Sequence, residues 1–212
     1  MMKRFIFSIF LLPLLLASPQ TKAQGIMLTP KWTAQAQFTG YYVADKLGFY
    51  KEEGIDVCVQ HPAISESSFS FMEKGRAPVV IMNLSYAFME RLAGARVVNV
   101  MQTSQENSLM LISHSPLKGE ESLRNQKIAV WNHLSQKLLD RLAEHYALKQ
   151  VEWIRFNSGV NVFLSGAADP CLVGSYNEYL QLSEYGMNVD SIYSIRLADY
   201  GYNLPEDGLY VT

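Results

Sequence analysis

Short apolar, β-branched runs alternate with helix-patterned stretches along nearly the whole chain, and this alternation limits the available folds more than any other feature. Runs at 26–32, 55–59, 77–82 and 97–102 read as strands. Between them, 38–50, 67–74 and 84–93 carry apolar residues at helical spacing, with Gly54 and Gly94 as stops. The order β-α-β-α-β-α-β is the sequence form of a parallel sheet covered by helices. One more strand is expected at 109–113. A polar, turn-rich stretch at 113–119 then looks like a boundary, and the pattern restarts. Strands are expected at 127–131, 151–156, 171–174 and 191–197, with helices at 135–147, near 161–164 and at 177–184. Residues 200–205 read as loop and 208–212 as the start of a strand. The expectation is an α/β chain of two lobes, 24–113 with 205–212 returning to it, and 114–204. Parallel sheets want helices on both faces, so a sequence stopping in Gly208-Leu209-Tyr210-Val211-Thr212 is expected to be part of a longer chain.

Residues 1–23 stand apart from this pattern. Lys3 and Arg4 precede an apolar run from Phe5 to Ala17, then a short polar stretch ending at Thr21-Lys22-Ala23. That is the layout of a cleavable secretory signal peptide. The run contains Pro13 and falls short of the roughly twenty residues that span a bilayer, and no cysteine follows it for lipid attachment. A periplasmic destination is expected. Without Lys3, Arg4 and Lys22, the 18 basic residues fall to 15 against 20 acidic, a net charge of −5. No basic excess is left to drive phosphate contacts, which excludes nucleic acid as an expected partner. Cys58 and Cys171 are too few for a disulfide scaffold, lack zinc spacing, and read as two buried free thiols.

Catalytic signatures are scarce. The sequence has no GxSxG, GxxxxGK[ST], HExxH or GxGxxG. Histidines at 61, 114, 133 and 145 never fall at metal-ligand spacing, so neither a metal nor a cofactor is expected. His145 beside Glu144 reads as a solvated helix residue. His61 follows the 55–59 strand, at the edge where open α/β sheets gather ligands, and is either a cleft residue or a plain loop residue. Other candidates lie at the same kind of edge: Trp32, Gln35 and Gln37 after the first strand, Asn83 and Tyr86 after the third. Trp131 and Asn132, then Tyr176, Asn177 and Glu178, occupy the matching places in the second set. Rings stack on Trp and Tyr while a carboxylate accepts from N–H groups, a combination suited to a flat, nitrogen-containing small molecule. Against this, Trp32 and Trp131 could be core aromatics and Glu178 a solvated residue near a helix start.

A resemblance sharpens these readings. Lys31 to Ala44 (KWTAQAQFTGYYVA) and Gly48 to Val57 (GFYKEEGIDV) resemble the opening of substrate-binding proteins for thiamine pyrimidine precursors, a family that includes eukaryotic thiamine pyrimidine synthases. Glu73 to Ala77, Lys127 to Trp131, Phe163 to Asp169, Tyr176-Asn177-Glu178, Tyr200-Gly201 and Leu204 to Gly208 follow in order. The resemblance implies a two-lobed, type II periplasmic binding protein-like clamshell whose lobes are joined by two hinge strands, with C-terminal helices beyond Thr212. It also implies a solute-binding protein of an ABC importer, working with a permease as a monomer on a pyrimidine or similar heterocycle. The expected ligand-binding set is Trp32, Gln35, Tyr41, Asn83, Trp131, Tyr176 and Glu178. A synthase, or the sensing ectodomain of a longer receptor, is the alternative. In the synthase branch the resemblance implies pyridoxal phosphate held on a lysine, a nearby histidine and a cysteine-rich iron site. Here Met82 and Tyr86 stand at the lysine and histidine positions, two distant cysteines make no cluster, and Pro78 replaces a common acid. Met82 offers no amine for a Schiff base.

Overall fold

The computed structural model describes residues 25–117, 120–123, 126–131, 140, 143–144 and 151–212. The leader-like 1–23, Asn132, His133, His145 and most of the helix expected at 135–147 lie outside these residues. Among the described residues, no helix is long and apolar enough to cross a membrane.

The first half runs β1 (Ile26–Thr29), α1 (Thr39–Leu47), α2 (Phe49–Glu52), β2 (Val57–Val59), α3 (Ser68–Glu73), β3 (Val79–Asn83), α4 (Leu84–Leu92) and β4 (Val98–Gln102). The helix expected over 38–50 is split. Its first turn is a 3-10 segment at Ala36–Phe38, and Gly48 closes α1 in the left-handed region at φ 82°, a conformation that costs glycine little. Ser67 starts α3 by accepting the Ser70 N–H at 3.1 Å, the ordinary serine N-cap.

The second half contains β5 (Leu109–Ser113), β6 (Lys127–Trp131), β7 (Glu152–Phe156), α5 (Asn161–Leu164), β8 (Cys171–Gly174), α6 (Glu178–Glu184), β9 (Tyr193–Arg196) and β10 (Asp207–Val211). A 3-10 turn occupies Leu197–Tyr200, between the strand expected to end at 197 and the loop expected from 200.

Two five-stranded sheets result, ordered β2-β1-β3-β10-β4 and β7-β6-β8-β5-β9. They are not purely parallel. β10 runs antiparallel to both β3 and β4, and β5 runs antiparallel to both β8 and β9. The chain passes from the first sheet to the second between β4 and β5, and back between β9 and β10. A strand that follows a crossing starts where the parallel strands end, so it must run the other way. Leu109–Ser113, placed with the first lobe on sequence, thus pairs in the second sheet, and the first crossing lies at 103–108.

Apolar side chains fill both faces of the second sheet: Ile112, Ala129, Val173, Phe163 and Leu182 on one, Leu111, Val130, Trp131 and Leu172 on the other. In the first sheet, Val80, Met82, Phe71 and Tyr210 pack on one face, and Leu28, Phe38 and Ile81 on the other. Phe38 and Phe163 are fully buried, each contributing about 2–3 kcal/mol of hydrophobic stabilisation. Cys171 is buried, but Cys58 is exposed, which corrects the expectation of two buried thiols; both are free.

Candidate ligand-binding site

Antiparallel entry after each crossing sets the start of β10 beside the end of β3, with Asp207 opposite Asn83. It likewise sets the start of β5 beside the end of β8, with Leu109 opposite Gly174. Strand ends of both sheets and both crossings thereby meet in one region, the usual ligand edge of an open α/β sheet.

Lys31, two residues past β1, reaches across this edge. Its ammonium donates to Asn83 Oδ1 at 2.7 Å and forms an ion pair with Asp207. The two charged side chains are only 17% and 13% exposed, so water screens them weakly. The backbone carbonyl of Asp207 accepts from Thr103 N at 2.9 Å, Thr103 Oγ1 at 2.7 Å and Gln102 Nε2 at 2.9 Å, tying the outgoing crossing to the returning strand. Glu206 accepts from Ser108 Oγ at 3.0 Å, and Asn203 Oδ1 accepts the Asn107 N–H at 3.1 Å.

Two tyrosines face this charged group from opposite lobes. Burial raises the pKa of the Tyr41 phenol, and the Asp207 charge adds to the effect while a hydrogen bond with Thr103 opposes it. Burial raises Tyr176 further, with help from Glu206, Asp207 and Glu178 and opposition from a bond to Ser108. Both therefore stay neutral at physiological pH and can donate or accept. Glu178 is buried, not solvated: Oε2 accepts the Gly174 N–H at 3.0 Å and Oε1 accepts Asn177 Nδ2 at 3.1 Å. Each oxygen keeps a lone pair for another donor.

Of the expected set, Tyr41, Asn83, Tyr176 and Glu178 gather around Lys31, Glu206 and Asp207. Trp32 and Gln35 lie on the segment just after Lys31. Trp32 is half-buried and packs on the Leu28–Phe38–Ile81 cluster, and Gln35 starts the 3-10 turn. Trp131 is 8% exposed within the second sheet's core, the core place that its sequence context also allowed. His114 stacks on Phe163 at 4.1 Å beside Asp169, and Tyr86 lies on α4 with its ring perpendicular to that of Phe69. Among the described residues, no group of three or more His, Cys, Asp or Glu is arranged to hold a metal. Lys31, Thr103, Ser108, Glu206 and Asp207 were not singled out as site residues from the sequence. Adjacent acids opening a strand-like run were the one available signal for the last two.

The sequence model described as "NMT1/THI5 like" matches residues 35–212. The chain belongs to this family. Among similar curated proteins, the yeast (Saccharomyces cerevisiae) 4-amino-5-hydroxymethyl-2-methylpyrimidine phosphate synthase THI13 is 19% identical over 73% of this chain and 47% of its own length. A Bacillus subtilis protein named as a binding protein, YtlA, is 24% identical over 84% of this chain and 54% of its own. The chain thus spans about half the length of these curated relatives. Among solved structures, the Escherichia coli periplasmic aliphatic sulphonate binding protein SsuA superimposes with a TM-score of 0.63 at 15% identity, covering 88% of this chain and 61% of SsuA. A periplasmic substrate-binding protein of an ABC transporter from Coxiella burnetii gives 0.56 at 12% identity, covering 88% and 84%. The shared fold is the two-lobed α/β architecture of type II periplasmic binding proteins.

Proposed function

We propose that this chain is the ligand-binding part of an extracytoplasmic solute receptor that serves an ABC importer, with a small nitrogen heterocycle of the thiamine pyrimidine type as ligand. One observation carries the reading: Lys31, Tyr41, Asn83 and Asp207 on the side of the first sheet meet Tyr176 and Glu178 on the side of the second, with Glu206 of the return crossing between them. Three carboxylates to one ammonium favour a ligand rich in N–H donors over an anion such as a sulfonate. The names of the THI13 and YtlA relatives support the pyrimidine and the binding role respectively. The leader pattern of residues 1–23 supports export, and a monomer working with a permease fits the same reading.

Calorimetry on the purified protein tests it. 4-Amino-5-hydroxymethyl-2-methylpyrimidine should bind with a Kd on the order of micromolar or tighter, and ethanesulfonate should not. Binding of the sulfonate alone would sink the pyrimidine reading.

A synthase is the second reading, favoured by the names of the yeast relatives. Against it, Met82 is fully buried in the core and has no amine for pyridoxal phosphate, and Lys31 is engaged with Asp207. Borohydride after incubation with pyridoxal phosphate should trap no adduct; an adduct on Lys31 would favour the enzyme.

A further inference from the structure

We propose that His61 is a positioning residue that sets the conformation of the Trp32 segment, and through it the shape of the ligand edge. The proposal rests on the reading of Trp32 as part of the binding face. His61 lies just past β2, in the loop whose Gln60 N–H bonds the Leu28 carbonyl at 3.0 Å. Its Nδ1 is 2.6 Å from the carbonyl oxygen of Trp32, and its Nε2 is 2.6 Å from the Tyr42 hydroxyl. A carbonyl can only accept, so Nδ1 carries a proton. In the neutral ring Nε2 then accepts from Tyr42, which sits on α1. In the imidazolium Nε2 donates instead, and the bond to Trp32 survives. Phe38, fully buried, holds the ring at a centroid distance of 5.4 Å, and Tyr42 lies at 5.7 Å. One side chain thus joins the β2 loop, the first helix and the backbone of the segment that follows β1. The Trp32 carbonyl is thus met by a side chain 29 positions away in sequence.

Conservative variants separate this role from simple packing. In His61→Asn the amide nitrogen falls near the place of Nδ1 and can still donate to Trp32. In His61→Gln it falls near Nε2 and serves Tyr42 only, and His61→Leu serves neither. Hydrogen exchange of the backbone at 32–35, measured without ligand, should be near wild type in His61→Asn and at least tenfold faster in the other two. Affinity for 4-amino-5-hydroxymethyl-2-methylpyrimidine should follow the same order, within about threefold of wild type for Asn and at least tenfold weaker for Gln and Leu. Ring nitrogen NMR of wild type, with His61 assigned by its loss in His61→Asn, should show the Nδ1–H form.

If the pyrimidine fails to bind wild-type protein, the proposed function fails, while the exchange comparison still decides the role of His61. If His61→Leu does not fold, the Asn and Gln pair decides it. Equal exchange in Asn and Gln, or an Nε2–H neutral ring, overturns the proposal.

Discussion

The third parallel strand of each sheet, β3 in one and β8 in the other, delivers the chain to the ligand edge and then to a helix, but the two turns are braced by different means. After β3, Asn83 leads straight into α4 with no side-chain cap, and its amide oxygen is taken by Lys31, 52 positions away. Lys31 is itself neutralised by Asp207 from the returning strand. After β8, the turn 174–177 is closed by Glu178, whose carboxylate bends back only four positions to the Gly174 N–H. The first half of the site is therefore complete only when β10 has inserted between β3 and β4, whereas the second is stitched locally. A long-range brace couples site geometry to the return of the chain, and a local one does not.

The largest effect is expected from cutting the long-range brace. Asp207→Asn leaves the Lys31 ammonium largely buried without a counter-charge, and Lys31→Met leaves the carboxylate so. Each should destabilise the protein by about 3 kcal/mol, because breaking one side of a weakly solvated pair exposes the cost of the other charge. Urea unfolding of both singles and the double variant measures the coupling. Simple additivity of the two singles would show that the pair is not an energetic unit.

Next comes the local brace. Glu178→Ala strands the buried Gly174 N–H and should cost about 2 kcal/mol. Glu178→Gln keeps an amide oxygen for Gly174 and should cost less than about 1 kcal/mol. If Glu178 also anchors the ligand, Gln will nevertheless weaken pyrimidine binding by roughly tenfold to a hundredfold, since it sets a donor against a donor. Stability and affinity thus move apart in Gln and together in Ala. Calorimetry alongside urea melts reads both, and a Gln variant with wild-type affinity would leave Glu178 with the brace alone.

Much of this fold was legible because local pattern decides local structure. The runs at 109–113, 127–131 and 171–174 became strands with the bounds expected, and 161–164 became a helix. What an apolar run does not carry is the identity of its partner. Leu109–Ser113 looks the same whichever sheet it joins, and the crossing that sends it to the second sheet is a tertiary outcome. The wedging of β10 between β3 and β4 was hidden for the same reason. Of the residues expected at the candidate site from strand ends and family likeness, Tyr41, Asn83, Tyr176 and Glu178 lie close to Lys31, Glu206 and Asp207. Lys31 could not be paired with Asp207, because a contact across 176 positions leaves no periodic trace. Trp131 lies in the core of the second sheet, one of the two places its sequence context allowed, since a terminal strand residue of either facing sits at the same place in the sequence.

The two thiols extend the comparison to pH. Burial raises the Cys171 thiol from 9.0 to about 12, with Glu178 and Asp169 adding to the shift, whereas Cys58 on the other sheet is exposed. A raised folded-state value means that the unfolded chain loses its proton first, so this contribution is intact below about pH 9 and is lost progressively as pH climbs toward 12. At pH 10 the loss should be about 1.4 kcal/mol. The difference in stability between pH 8 and pH 10 should shrink by that amount in Cys171→Ala. Equal pH slopes for wild type and Cys171→Ala would remove the thiol from the account.

The smallest effect is expected from the second lobe's own long-range ion pair. Arg196 on β9 meets Glu106 of the first crossing at 2.9 Å, across 90 positions in sequence, which makes it the formal counterpart of Lys31 and Asp207. The chemistry of the two pairs is alike, but their solvation differs. Arg196 and Glu106 are 50% and 61% exposed, against 17% and 13% for Lys31 and Asp207. Water and salt screen the exposed pair, and holding two long side chains in one geometry costs entropy that offsets most of the attraction. A double-mutant cycle on Arg196→Ala and Glu106→Ala should therefore give a coupling of about 0.2–0.5 kcal/mol, falling toward zero in molar salt. The Lys31–Asp207 coupling should be several times larger and should change little with salt. A coupling above about 1 kcal/mol for the exposed pair would mean that the first crossing is held as firmly from the second lobe as from the first, and the asymmetry between the two halves would have to be given up.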